Sequence, residues 1–191
     1  MDDRLTQDER SLLLRLARQA LEQAVTQGRF TPPALEELPE TLRRDGASFV
    51  TLTRRGELRG CIGALEAYQP LVLDVCEHAQ AAALEDYRFP PVSPAELPEI
   101  EIEISRLTPQ TELPYSSPEE LPARLRPHID GVTLADGHRR ATFLPQVWEK
   151  LPDPVVFLGR LCEKMGAAPN AWRTRRLQVK TYQVEEFHEA G

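Results

Sequence analysis

Apolar positions change period along this chain, and each change marks an element. Over residues 7–27, Leu13, Leu16, Ala17, Ala20, Leu21 and Ala24 recur at helical spacing and form one stripe. Thr6 stands where a capping residue is needed, Glu9 follows three residues later, and Gly28 supplies a stop. Two strand-like runs follow, Ala47–Thr53 and Glu57–Leu65, joined by the short turn Arg54-Arg55-Gly56. Leu71–Leu84 returns to helical period, with Pro70 and Asp74 near its start. Ile100-Glu101-Ile102-Glu103-Ile104 alternates strictly, which predicts isoleucines inward and glutamates outward on a half-solvated strand.

The second half repeats these signals. Residues 118–123 predict a helical turn. Gly131–Leu134 and Arg139–Phe143 predict a hairpin around Asp136-Gly137. Asp153 and Pro154 open a helix to about Met165, with Val155, Phe157, Leu158, Leu161 and Cys162 apolar and Gly166 ending it. Leu177–Val184 predicts one final strand, with Phe187 after it. Helices and antiparallel strands mix without a βαβ rhythm, so the fold class is α+β: a mainly antiparallel sheet flanked by helices. The length of 191 residues predicts a single domain with, at most, a smaller lobe.

Composition then removes function classes. Thirty acidic against 23 basic side chains leave a net charge of −7 and no basic tract, which argues against nucleic-acid binding. Trp172 with Arg173, Arg175 and Arg176 is the one local basic cluster, weighed as a patch for an acidic partner or RNA. Cys61, Cys76 and Cys162 form neither a disulfide framework nor a Cys-x-x-Cys pair, and reduced thiols in a cytoplasmic protein are the expectation. The start, Met-Asp-Asp-Arg, lacks a signal-peptide pattern, and no apolar run reaches membrane-spanning length. His78, His128, His138 and His188 have no ligand spacing, so neither metal nor cofactor is expected. The 17 prolines cluster at 32–39, 90–98, 109–127 and 145–154, between the elements.

The most informative stretch is Leu58-Arg59-Gly60-Cys61-Ile62-Gly63. On an unbroken strand, Arg59, Cys61 and Gly63 share one face, with Leu58, Gly60 and Ile62 on the other. Two glycines in one strand mark a bulge or a close approach to the backbone. A guanidinium beside Cys61 favours the thiolate, the reactive form of a nucleophilic or redox thiol. The bland reading is a cysteine that packs as a small hydrophobe. Asp86 and Arg88 are two apart before Phe89-Pro90-Pro91; they can hold a polar ligand, orient Arg59, or form an ion-paired loop anchor. Gln146, after Pro145 at a helix start, can present its amide to a cleft or to solvent.

The hexapeptide, the preceding Gly46–Leu52, the element Asp86-Tyr87-Arg88-Phe89-Pro90-Pro91-Val92, the strand Ile102–Ser105, Asp130-Gly131-Val132 and Thr142–Trp148 together resemble the AMMECR family over about residues 10 to 188. The chain departs from that pattern at Lys164-Met165-Gly166-Ala167, where relatives often read Lys-Ala-Gly-Leu. The resemblance implies an α+β domain with a smaller lobe and no established reaction. It also implies a place in the AmmeMemoRadiSam set, beside Memo-like and radical-SAM proteins. Two functions then stand open. In the first, an enzyme or enzyme component acts on an unknown small molecule. Cys61 is its nucleophile, Arg59 its activator, and Gly60, Gly63, Asp86, Arg88 and Gln146 its binding residues. In the second, a non-catalytic accessory protein docks a Memo-like or radical-SAM partner on the same surface.

Overall fold

The structure, a computed structural model, describes residues 4–28 and 30–189. In chain order its helices and strands are α1 (Gln7–Gln27), α2 (Glu40–Arg43), β1 (Asp45–Arg54), β2 (Glu57–Gly63), β3 (Gln69–Pro70), α3 (Leu71–Leu84), β4 (Ile100–Leu107), β5 (Thr111–Glu112), α4 (Leu121–Arg124), β6 (Gly131–Asp136), β7 (Arg139–Phe143), α5 (Pro154–Lys164), α6 (Ala171–Thr174), β8 (Gln178–Tyr182) and β9 (Val184–His188). They divide into two compact units. One runs from Met1 to Thr108 and takes back Glu185–Gly191; the other is the continuous stretch Pro109–Val184.

In the first unit the end signals read for α1 are all used. Thr6 Oγ1 accepts from the Glu9 backbone N–H, and the Glu9 carboxylate returns the bond to the Thr6 N–H. Gly28 closes α1 in the left-handed region at φ 75°. The stripe Leu13, Leu16, Ala17, Ala20, Leu21 and Ala24 is buried along with Val72, Val75, Ala79 and Ala82 of α3. The sheet beneath has the order β2-β1-β4-β9, with β3 paired to the start of β1. β1 and β2 form a hairpin around Arg55 and Gly56, both at positive φ (53° and 80°), as a two-residue turn of the favoured hand requires. In β4, Ile100, Ile102 and Ile104 are buried while Glu101 is exposed, as the alternation predicted.

A polar layer crosses this otherwise apolar core. Ser48 donates to Asp74 Oδ2 at 2.6 Å, and His78 Nδ1 lies 3.2 Å from the same oxygen. Arg10 and Arg106 both pair with Glu185 of β9, at 3.0 and 2.9 Å. Arg18 on α1 forms an ion pair with Glu189.

The second unit has its own core. The antiparallel sheet β5-β8-β6-β7 packs with Phe157, Leu158, Leu161 and Cys162 of α5. Trp148 stacks on Phe157 with centroids 3.6 Å apart and planes 6° from parallel, and its indole N–H donates to the Asp130 carbonyl at 2.7 Å. Asp153 caps α5 by accepting from the N–H groups of Val155 and Val156.

One element differs from its expectation. The single final strand over Leu177–Val184 is two strands: β8 belongs to the second sheet and β9 to the first. Leu177, Val179 and Thr181 alternate inward, Tyr182 is buried out of that phase at the end of β8, and Phe187 is the buried residue of β9. No glycine or proline announces the change of sheet. Among the described residues, no helix is long and apolar enough to cross a membrane, and no group of three His, Cys, Asp or Glu side chains is placed to hold a metal ion.

Candidate functional site

β2 is the free edge of its sheet, and the hexapeptide occupies that edge. Its register against β1 is broken once: Leu52 pairs with Gly60, but Thr53 pairs with Leu58. Arg59 is therefore the extra residue of a β-bulge, and the alternation of side chains slips there. The expected sharing of one face by Arg59 and Cys61 is corrected. Leu58 falls with Cys61, opposite Thr53 and Thr51, while Arg59 turns with Gly60 toward the buried side.

Arg59 is spoken for on that side. Its Nε and Nη2 donate to the two oxygens of Glu96 at 2.9 and 3.3 Å, and its guanidinium lies 5.9 Å from the Phe89 ring centre. Glu96 lies in the 3-10 turn Pro94–Glu99. It also takes Arg54 Nη1 at 3.2 Å and the Ser93 N–H at 2.8 Å. The Arg59 hydrogen bond and that of the Ser93 backbone hold the Glu96 carboxyl well below its ordinary range, at about 2. Arg59 Nη1 is buried without a hydrogen-bond partner.

The two glycines are accounted for by packing. A Cβ on Gly60 would stand 2.1 Å from the Ala82 carbonyl oxygen, so α3 lies against bare backbone. A Cβ on Gly63 would enter the Phe49 ring and the Ser48 carbonyl. Both close approaches anticipated in the sequence exist, and the groups that approach belong to the protein itself.

Asp86 and Arg88 finish the edge. In an edge strand every second residue points its N–H and C=O away from the sheet. Cys61 is such a residue. Its N–H donates to Asp86 Oδ2 at 2.9 Å, and its carbonyl accepts from Arg88 Nη2 at 3.3 Å. Asp86 and Arg88 are themselves joined by two parallel bonds of 2.9 and 2.7 Å, the fork geometry of strong carboxylate–guanidinium pairs. The pair thus supplies Cys61 with the donor and acceptor a neighbouring strand would have offered. The Arg88 side chain, and after it the Cys61 N–H, push the Asp86 carboxyl far below the usual carboxylate range. Arg88 is raised in turn, chiefly by Asp86. Cys61 itself is half-buried, and its sulfur accepts from the Thr51 hydroxyl at 3.3 Å.

Tyr87, between the two clamped residues, is 95% exposed. The turn that carries it is closed by the Phe89 N–H to the Asp86 carbonyl at 3.0 Å.

This arrangement can be set beside known proteins. A family profile described as AMMECR1 matches residues 14–187. The chain belongs to the AMMECR1 family. A protein of Methanothermobacter thermautotrophicus is 38% identical over 188 residues, covering 98% of this chain and 97% of its own. One of Thermofilum pendens is 39% identical over 201 residues, at 97% and 92% coverage. Among solved structures, an uncharacterised protein of Pyrococcus horikoshii matches with a TM-score of 0.74 and 34% identity, over 93% of this chain and 90% of that one. It shares the α+β fold. The family assigns a fold and not a reaction.

Within this AMMECR1 domain the structure brings together Cys61, Asp86 and Arg88 by direct bonds, and joins Arg59 to them through Phe89, whose ring lies between the two guanidiniums at 5.9 and 5.6 Å. Gln146 is exposed in the turn Pro145–Glu149 of the other compact unit. Three contributors had no signal in the sequence: Thr51, Glu96 and Tyr87. Thr51 follows from strand register, Glu96 from a contact 37 residues away, and Tyr87 from its exposure.

Proposed function

We propose that this protein is a binding module that presents Tyr87 and Arg88 to a partner protein. The single observation that supports this reading most is a fully exposed aromatic on a turn whose flanking residues are both bonded to the sheet edge. Tyrosine and arginine dominate binding hot spots, because each buries a large apolar body and keeps a polar end. Holding them in place beforehand removes the ordering cost that a loose loop pays on association. Leu58, 45% exposed on the Cys61 side of β2, extends the apolar surface. Memo-like and radical-SAM proteins are the partners to try first. The test is affinity capture of a co-expressed partner, quantified by calorimetry. Tyr87→Ala is expected to weaken binding more than about tenfold, as hot-spot truncations do. Cys61→Ser is expected to leave binding intact. Unchanged affinity in Tyr87→Ala removes the reading.

A second reading rests on the Thr51 hydroxyl, which donates to Cys61 Sγ in a half-buried setting. That contact orients the sulfur, and Cys61 is only half-buried, so it is a candidate nucleophile in the same surface. Alkylation by iodoacetamide across pH tests it: reaction well below pH 8.5, lost or slowed on Thr51→Val, supports the nucleophile. Resistance until unfolding removes it.

A further inference from the structure

A surface pocket of about 570 Å³, open to solvent along much of its face, lies on the outer side of α5, within the Pro109–Val184 unit and lined by none of the residues of the proposed docking turn. Its size falls within the range of small-molecule sites. A helix that buries Phe157, Leu158, Leu161 and Cys162 is expected to show water a polar back. α5 instead exposes Val155 and Val156, at 40% and 49%, and both line the cavity.

Gly159 forms the floor between them and the loop before α6. A glycine inside a helix costs stability relative to alanine. At Gly60 that cost answers a clash with Ala82. At Gly159 no clash exists: an added Cβ would meet only Pro169, at 3.4 and 3.9 Å. What the missing side chain leaves is depth. The rim is cationic. Arg173 is exposed, its guanidinium is stacked 4.6 Å from the Trp172 ring centre, and among the described residues no acceptor takes a hydrogen bond from it, though its charge is felt by the Glu119 carboxylate. Arg160, also at the rim, is paired with Glu163 at 3.0 Å in an exposed bridge that an incoming carboxylate can share.

We propose that this cavity binds an amphipathic carboxylate, with its apolar body on Val155, Val156 and Pro169 over Gly159 and its carboxylate at Arg173. Such chemistry can come from a free aryl- or alkyl-carboxylic acid or from a peptide in which an apolar residue precedes an acidic one. The experiment titrates the full chain with 6-phenylhexanoate, with its neutral amide, and with acetyl-Leu-Phe-Glu-amide, following backbone amides by NMR. Saturable shifts at Val155, Val156, Gly159 and Asn170 are expected, with a Kd of about 1 mM or tighter for a ligand of this size. The neutral amide should bind at least about fivefold more weakly, since it cannot form the charge-assisted bond. Tighter binding of the acid or of the peptide tells which source the site suits. Gly159→Leu, which fills the floor, should weaken binding at least about tenfold with the melting temperature maintained. Arg173→Gln, a surface change, should weaken the acid and leave the neutral amide unaffected. No saturable shift with either carboxylate overturns the proposal. So does equal affinity for acid and amide, or unchanged affinity in Arg173→Gln.

Discussion

Gly60→Ala separates two explanations of the hexapeptide glycines. If Gly60 exists to admit a ligand, alanine leaves the free protein as stable as before. The structure assigns it another task. The new Cβ would stand 2.1 Å from the Ala82 carbonyl oxygen and 3.0 Å from its carbon, and both atoms are backbone in the last turn of α3. An ordinary contact needs about 3.4 Å, so helix and strand must part by roughly 1.3 Å. α3 cannot retreat freely, because Val72, Val75 and Ala79 are wholly buried in the same core as Val50, Leu52 and Ile102. Overpacking of side chains costs about 1–3 kcal/mol, and backbone is less forgiving, so roughly 3 kcal/mol is expected. For a chain of this length that lowers the melting temperature by about 6–12 °C. Urea unfolding followed by far-UV circular dichroism measures it, with Gly137→Ala as the control. Gly137 sits in open space at φ 62°, so its variant carries only the positive-φ penalty of about 1 kcal/mol. If Gly60→Ala is no less stable than Gly137→Ala, the packing argument is wrong.

Further outcomes follow from the same contacts. Glu96 has its folded pKa at about 2 against 4.5 when free. Its stabilising contribution is therefore complete above about pH 4.5 and lost as pH falls toward 2; Glu96→Gln should cost about 1–3 kcal/mol at pH 7 and flatten the acid limb of a stability–pH curve. Asp86→Asn should expose the Cys61 edge, lower stability by about 2 kcal/mol and promote self-association, read by urea melts and light scattering. Phe157→Ala should cost about 3–5 kcal/mol by removing the ring stacked on Trp148, with a change in tryptophan emission. Burial pushes the Cys76 thiol up to about 12, so mass spectrometry should find Cys76 unmodified by iodoacetamide in the native protein at pH 8, and labelled only on unfolding.

Local signals were readable where one chemical reason decided the outcome. Thr6, Glu9 and Gly28 fix both ends of α1 by hydrogen bonds and a backbone angle that no distant residue alters. The isoleucines of β4 needed only their period. The spacing of Asp86 and Arg88 left an ion-paired loop anchor among its readings, and the structure holds that pair. The bulge at Arg59 was hidden, because it depends on how Leu52 and Thr53 register against β2 and not on the hexapeptide alone. Its consequence was a guanidinium that serves Glu96 instead of facing the thiol's side of the strand. The passage from β8 to β9 was hidden for a related reason: the pattern of apolar positions says which side chains are buried, but not beneath which sheet.

That passage also bears on synthesis. β9 completes the sheet begun by β1, yet all of Pro109–Val184 is made before it. As the chain leaves the ribosome, Arg10, Arg18 and Arg106 wait for Glu185 and Glu189, their partners from beyond the second unit. The contiguous second unit can finish folding first, although it starts later. The first unit closes only after β9 has been made. A nascent chain arrested before β9 presents β4 as a bare edge and lacks Glu185 and Glu189, the state in which assistance against aggregation matters most.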